Sequence, residues 1–208
     1  VLVGALVVRD ARIAFGVPQV RDHELVAAER AIAADAPRID VVIVGGVGVL
    51  PKREAIALGC TGPTLRGSGV DADLRKDEPY AAYSELDFEV PTRKEGDSYS
   101  RAVVRMDEMR ESCKLIRQIV KEIPSGPIRR RAPIVVPRGE AYSRVESARG
   151  ECSFYMIGEG GDKPYRVRFI TASYRNMAAI PVLLIGGHMA DMPTAWWSVD
   201  YWPVEADR

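Results

Sequence analysis

One stretch limits the possible folds more than any other: "DSYSRAVVRMDEMRESCKLIRQIVKEI", Asp97 to Ile123. Val103, Met106, Met109, Cys113, Ile116, Val120 and Ile123 recur at steps of three and four, the period of one helix face, with charged residues opposite. Asp97 or Ser98 can cap the start, and Pro124 with Gly126 ends it. A helix rising about 1.5 Å per residue would run about 40 Å here. That exceeds an ordinary globular helix and suits a bundle or a crossing between partners. The methionine stripe is expected in the core, not around a cofactor.

The flanking sequence sets the class. "RDHELVAAERAIAADA" (21–36) has the alanines and charge pairs of a helix, and "DVVIVGG" (40–46) is a β-branched run closed by glycine. Residues 59–83 are rich in Gly, Pro and Asp with no sustained period, a loop long enough to need a function or a clamp. After the long helix, 141–147, 152–157 and 165–170 are short β-prone runs. The last two are joined through "GEGGDKP" as a hairpin. "SYRNMAAIPVLLI" (173–185) and "HMADMPTAWWSV" (188–199) return to helix, the second kinked or started near Pro193. The order is α+β: a mainly helical core, a long central helix and a small C-terminal β-hairpin region.

Bulk properties exclude more than they assign. Lys+Arg and Asp+Glu both number 29 in 208 residues, so no net field argues for nucleic acid, and "IRRRAP" around Arg130 reads as a solvated loop. Cys60, Cys113 and Cys152 are odd in number and far apart, which suggests neither a disulfide framework nor a metal or iron–sulfur site built by this chain. "MAAIPVLLIGG" is too short to cross a bilayer, which takes about 20 residues. The chain begins at Val1, in mid-pattern and not at Met, and is expected to be a fragment of a longer protein.

Standard catalytic sets are sparse. "GGVGVLP" is neither a phosphate loop nor GxGxxG. His23 and His188 are the two histidines, read as structural, and no nucleophile–base set surrounds them. The tail "WWSVDYWPVEADR" stands out, because Asp200 and Glu205 sit among Trp196, Trp197, Tyr201 and Trp202. A carboxyl in an apolar wall has its charged form disfavoured and can trade protons. The plainer reading has the rings filling the core and Asp207 paired with Arg208.

Five blocks together resemble one known family: "GCTGPTLRGSGVDADLRKDEPYAAYSELDFEVP", "GDSYSRAVVRMDEMRESCKLIRQ", "ESARGECSFYMI", "KPYRVRFITASYRNMAAIPVL" and "SVDYWPVEADR". They resemble the 49-kDa (D) subunit family of respiratory complex I, which is homologous to the large subunit of nickel–iron hydrogenases. The likeness is collinear over 59–208, whereas 1–58 is divergent or incomplete. "RGECSFYMI" and "DYWPVEADR" look most like the archaeal branch, the D-type subunits of membrane dehydrogenases that oxidise a reduced deazaflavin coenzyme.

The resemblance implies a hydrogenase-large-subunit-like fold and a role inside a complex. Hydrogenases end in Asp-Pro-Cys-x-x-Cys, whose thiolates hold nickel. In this sequence Asp200 keeps the Asp, Tyr201 replaces Pro, Trp202 the first Cys and Glu205 the second. Without thiolates no metal is expected. The emptied cavity would serve as a quinone or phenazine site lined by Asp200, Tyr201, Trp202, Pro203 and Glu205. Electrons would come from an iron–sulfur cluster in the adjacent small subunit, with no cofactor bound by this chain. The activity implied is NADH (or reduced deazaflavin):quinone oxidoreductase. Donor and NAD binding would belong to other subunits, and the chain would lie peripherally on the cytoplasmic face of the cell membrane against the membrane arm. The family's carrier-contacting His and Tyr lie upstream of this chain, so the isolated chain is expected to be inactive. The family's "YIRPGGV" stretch survives only as "ARIAFGVPQV" (11–20), about a dozen residues are missing between Pro37 and Val49, and His188 sits one place from the family's GHxxAD pattern. Two alternatives stand beside this one: a truncated interaction module of the same complex, and a degenerate membrane-bound hydrogenase large subunit.

Overall fold

A computed structural model of the chain describes residues 45–124, 126 and 135–207. The expected helix 21–36, most of the run 40–46, His23 and the arginines 129–131 lie outside the described residues. The long helix is present: α4 runs Ser98–Glu122, 25 residues, with Asp97 as its cap accepting from the Ser100 N–H at 2.7 Å. Before it, among the described residues, come three short α-helices, α1 (Lys52–Ala57), α2 (Pro63–Arg66) and α3 (Leu74–Asp77). After it come three antiparallel strands, β1 (Gly139–Ser147), β2 (Gly150–Gly158) and β3 (Arg166–Ile170), in the order β1-β2-β3. Four more short helices follow: α5 (Ala172–Asn176), α6 (Ile180–Leu184), α7 (Met192–Ser198) and α8 (Pro203–Ala206).

The class and element order match the expectation, with one sheet larger than foreseen. The hairpin 150–170 is there, and a second, tighter one joins β1 to β2 through Ala148 and Arg149, closed by the Ser147–Gly150 pair. Gly150 supplies the turn's positive φ, 127°. No described helix is long and apolar enough to cross a membrane.

The face α4 turns inward differs from the predicted one. Its buried residues beyond the first turn are Arg101, Val104, Glu111 and Leu115, while Met109 and Val120 are exposed and Val103, Met106, Cys113, Ile116 and Ile123 only half-buried. The sequence pattern sorts apolar from charged, but here buried charges have partners, and those set the rotation of the helix. The apolar core lies beside α4, built from Leu50, Ala55, Cys60, Ala179, Ile180, Leu183, Ala195 and Val199. Each large side chain among them contributes about 1.5–3 kcal/mol when fully buried.

The aperiodic stretch 59–83 is clamped by the chain itself. Arg66, 1% exposed, donates to Glu108 of α4 at 2.6 Å, to Glu146 of β1 at 2.9 Å and to the Ala72 carbonyl at 2.9 Å, with Asp73 at 3.4 Å. Arg75 closes on the other side of Asp73 at 2.6 Å. One guanidinium thus ties three elements and a loop to each other. Asn176 of α5 brackets Thr61, accepting from its N–H at 2.9 Å and donating to its carbonyl at 3.2 Å.

Candidate functional site

The tail residues gather at one place, and α4, the β1–β2 turn and α5 position them. The chain leaves α7 at Val199, and Asp200 takes a left-handed backbone, φ 55°, uncommon for a residue other than glycine. That conformation turns the chain so that Tyr201 stacks edge-on to Trp196, centroids 5.2 Å apart, against the apolar core. Pro203 then opens α8, where its fixed φ suits the first turn. Thr171 donates to the Glu205 carbonyl at 2.5 Å and Ser173 to the Glu205 carboxylate at 2.6 Å, fastening α8 to α5.

Arg149, at the tip of the β1–β2 turn, joins the two acids. Its Nε lies 3.2 Å from Asp200 Oδ2 and donates to the Asp200 carbonyl at 3.2 Å; its Nη1 donates to Glu205 Oε1 at 3.0 Å. The same guanidinium lies over the Trp202 ring, 5.4 Å from the centroid. Gly62 holds this turn in place. A Cβ there would come within 2.3 Å of the Arg149 carbonyl, and its φ of 66° also favours glycine.

From the other side α4 presents Arg101 and Arg105. Arg101, fully buried, donates to Ser198 Oγ at 2.8 Å and to the carbonyls of Gly96 and Gly48, each at 2.7 Å. Burial, with the charge of Arg105 adding to it, pushes the Arg101 pKa down to about 10. Arg105 donates to the Ser198 carbonyl at 2.7 Å, but its Nε is 4.0 Å from Asp200 Oδ2. Its buried Nε and Nη2 have no hydrogen-bond partner among the described residues. Burial pulls its pKa down as well, partly offset by the charge of Asp200.

The structure therefore brings together Asp200, Tyr201, Trp202, Pro203 and Glu205, and corrects their surroundings. The walls around the two acids are guanidinium and hydroxyl rather than purely apolar, and of the three Trp rings only Trp196 packs against the core, with Trp197 68% exposed and Trp202 48%. Arg208, expected to pair with Asp207, lies outside the described residues. Sequence reading misses Arg149, Arg105, Arg101, Thr171 and Ser173. The one available sign of Arg149 is its place in the four-residue gap, Ala148 to Glu151, between two β-prone runs. Cys60 and Cys152 are free thiols, and burial pushes the Cys60 thiol up to about 11.

Comparison with known proteins decides the family. The profile for "Respiratory-chain NADH dehydrogenase, 49 Kd subunit" matches residues 38–136 and 128–208. The chain belongs to that family. It is 42% identical to the D-type subunit of NADH-quinone oxidoreductase from Dehalococcoides mccartyi, over 78% of this chain and 45% of that protein. It is 45% identical to the D-type subunit of F(420)H(2) dehydrogenase from Methanosarcina mazei, over 78% of this chain and 46% of that one. Among solved structures it superposes on a chain of the membrane-bound sulfane sulfur reductase, an archaeal respiratory membrane complex, with a TM-score of 0.78 at 34% identity, covering 90% of this chain and 56% of that one. The chain thus spans about half the length of its 49 kDa relatives. The same matches support the α+β, hydrogenase-like fold, and the solved neighbour is itself a chain of a respiratory membrane complex.

Proposed function

We propose that this chain is the carrier-site portion of one component of a membrane-bound, proton-translocating oxidoreductase. It lines the place where a quinone or phenazine ring takes two electrons, one at a time, from an iron–sulfur cluster in the adjacent small subunit. Reduction to the hydroxylated or dihydro form also consumes two protons. The observation that carries the reading is the tail: at the two positions that the resemblance assigns to nickel-holding thiolates stand the exposed Trp202 ring and Glu205, and Arg149 bridges Glu205 to Asp200. A planar carrier fits such a wall, with aromatic surface for its ring and charged donors for its polar atoms. Asp200 and Glu205 shape that surface and support proton delivery, while Trp202 and Tyr201 confine the ring. The protein is peripheral, on the cytoplasmic face against the membrane arm, and donor chemistry belongs to other subunits. The isolated chain, lacking the cluster-bearing partner, does not turn over.

The test uses the complete complex. Trp202→Ala or Glu205→Ala is expected to lower carrier reductase activity by about tenfold, the loss of one good site contact, with assembly unchanged by native gel. Wild-type turnover and carrier affinity in both variants would overturn the assignment.

A further inference from the structure

We infer that Arg149 is a side chain by which this chain binds a polar ring atom of the carrier, and that Arg105 is the positioning residue that draws the Asp200 carboxylate off Arg149 when it does. This rests on the tail being the carrier's site. The ligand class is a two-electron ring whose carbonyl oxygen or ring nitrogen gains negative charge on reduction.

Three observations converge. Arg149 is the cation within reach: its side chain is 27% exposed, its Nη2 makes no hydrogen bond among the described residues, and its guanidinium covers the Trp202 ring against which a carrier would stack. Its bond to Asp200 is displaceable, because Asp200 is 37% exposed and Arg149 also holds the Asp200 carbonyl, an anchor that stays when the carboxylate swings. Glu205 is fixed by Ser173 as well as by Arg149 and is not free to leave.

Arg105 supplies the second place for the carboxylate. Two of its nitrogens are sealed from solvent without an acceptor among the described residues, an arrangement native proteins rarely leave unexplained. The Asp200 carboxylate lies 4.0 Å from one of them. Closing to hydrogen-bonding range takes a movement of about 1 Å. Arg105 and Arg149 share the Asp200 carboxylate, Glu108 and Asp97 add negative charge near Arg105 and Arg101 respectively, and Arg101 is already saturated by Ser198 and two carbonyls. An atom gaining negative charge beside Arg149 takes the place of the Asp200 carboxylate there. Asp200 then pairs with Arg105 and supplies the acceptor its buried nitrogens lack.

The experiment uses the intact complex with a short-chain benzoquinone and a hydroxyphenazine as probes, reading KM and kcat for each and the rate of cluster reduction by the donor. Arg149→Met is expected to raise KM about tenfold, the loss of a charge-assisted contact, with cluster reduction unchanged. Arg105→Met leaves Asp200 on Arg149 and raises KM about fivefold, the worth of one hydrogen bond. Asp200→Asn in the same chain removes the competing charge and restores KM while kcat falls, because Asp200 also supports proton delivery, and Arg105→Lys keeps KM below that of Arg105→Met. A merely structural Arg105 predicts no such rescue. The exchange is overturned if Arg105→Met leaves KM unchanged or if Asp200→Asn fails to restore it. Should Arg105→Met not assemble, Arg105→Gln carries the same comparison. If Trp202→Ala and Glu205→Ala also leave both probes' kinetics unchanged, the carrier site is elsewhere and both readings fall. If they act and the rescue fails, the exchange alone falls.

Discussion

At the scale of single residues, the most consequential side chain for stability is Arg66. It is fully buried among Asp73, Glu108 and Glu146, and no pattern in the sequence marks it as different from any surface arginine. Replacing it with Met strands Glu108 and Glu146 around an apolar side chain, while Asp73 keeps Arg75. Breaking a buried network this way costs about 3–5 kcal/mol, so Arg66→Met is expected to melt far below the wild type, by thermal or urea denaturation. The same blindness hides Arg149 and Arg105. Charged residues are ordinarily solvated, and only tertiary placement tells which have been drawn inside. Asp200 and Glu205 are legible because they stand among aromatic residues, an unusual neighbourhood in one dimension as well as three.

At the scale of elements, α4 is legible in extent and illegible in orientation. Its cap, length and stop follow from Asp97, the helical period and Pro124, all local signals. Its rotation follows from Arg101, Glu108 and Glu111 finding partners on other elements, which no local signal reports. The β1–β2 turn escapes sequence reading for a related reason. The expected strand ends leave a gap from Ala148 to Glu151, and the two-residue turn is hidden inside it. That turn has no slack. Gly62→Ala would drive a Cβ into the Arg149 carbonyl and Gly150 Cα, at 2.3 and 2.5 Å. Such overpacking costs about 1–3 kcal/mol. The variant is expected to melt earlier and, in the complex, to show raised carrier KM as Arg149 shifts, whereas Gly59→Ala, with open space around it, keeps the KM.

At the scale of the whole molecule, the buried charges set an acid profile. Burial holds Glu108 and Glu146 above the ordinary carboxylate range despite Arg66. Burial resists ionisation of Asp73 and Asp97 too, but Arg75 in one case and the Gly46 and Ser100 groups in the other hold them below it. For the glutamates the folded chain takes up protons before the unfolded one. Their contribution therefore rises as pH falls through the raised folded values and levels off below about 4.3, the ordinary Glu value. For the aspartates the stabilisation is present above about 3.9 and is lost as pH falls through the depressed folded values. The urea midpoint is expected to climb on mild acidification from neutrality and then collapse in strong acid. Glu108→Gln should flatten the climb, and a midpoint that declines monotonically from neutrality would contradict the assignment.

The convergence of Arg101, Arg105 and Arg149 on residues 198–205 also has a meaning in time. Arg105 and Arg149 are translated well before the Asp200 carboxylate that faces both, which comes 51 positions after Arg149. A nascent chain that has folded α4 and the hairpin therefore carries an open cationic cleft until residues 198–205 leave the ribosome. Interruption of synthesis in that window yields a product distinguishable by charge alone, one that polyanions or acidic chaperone surfaces could sort from the chain that has closed its cleft.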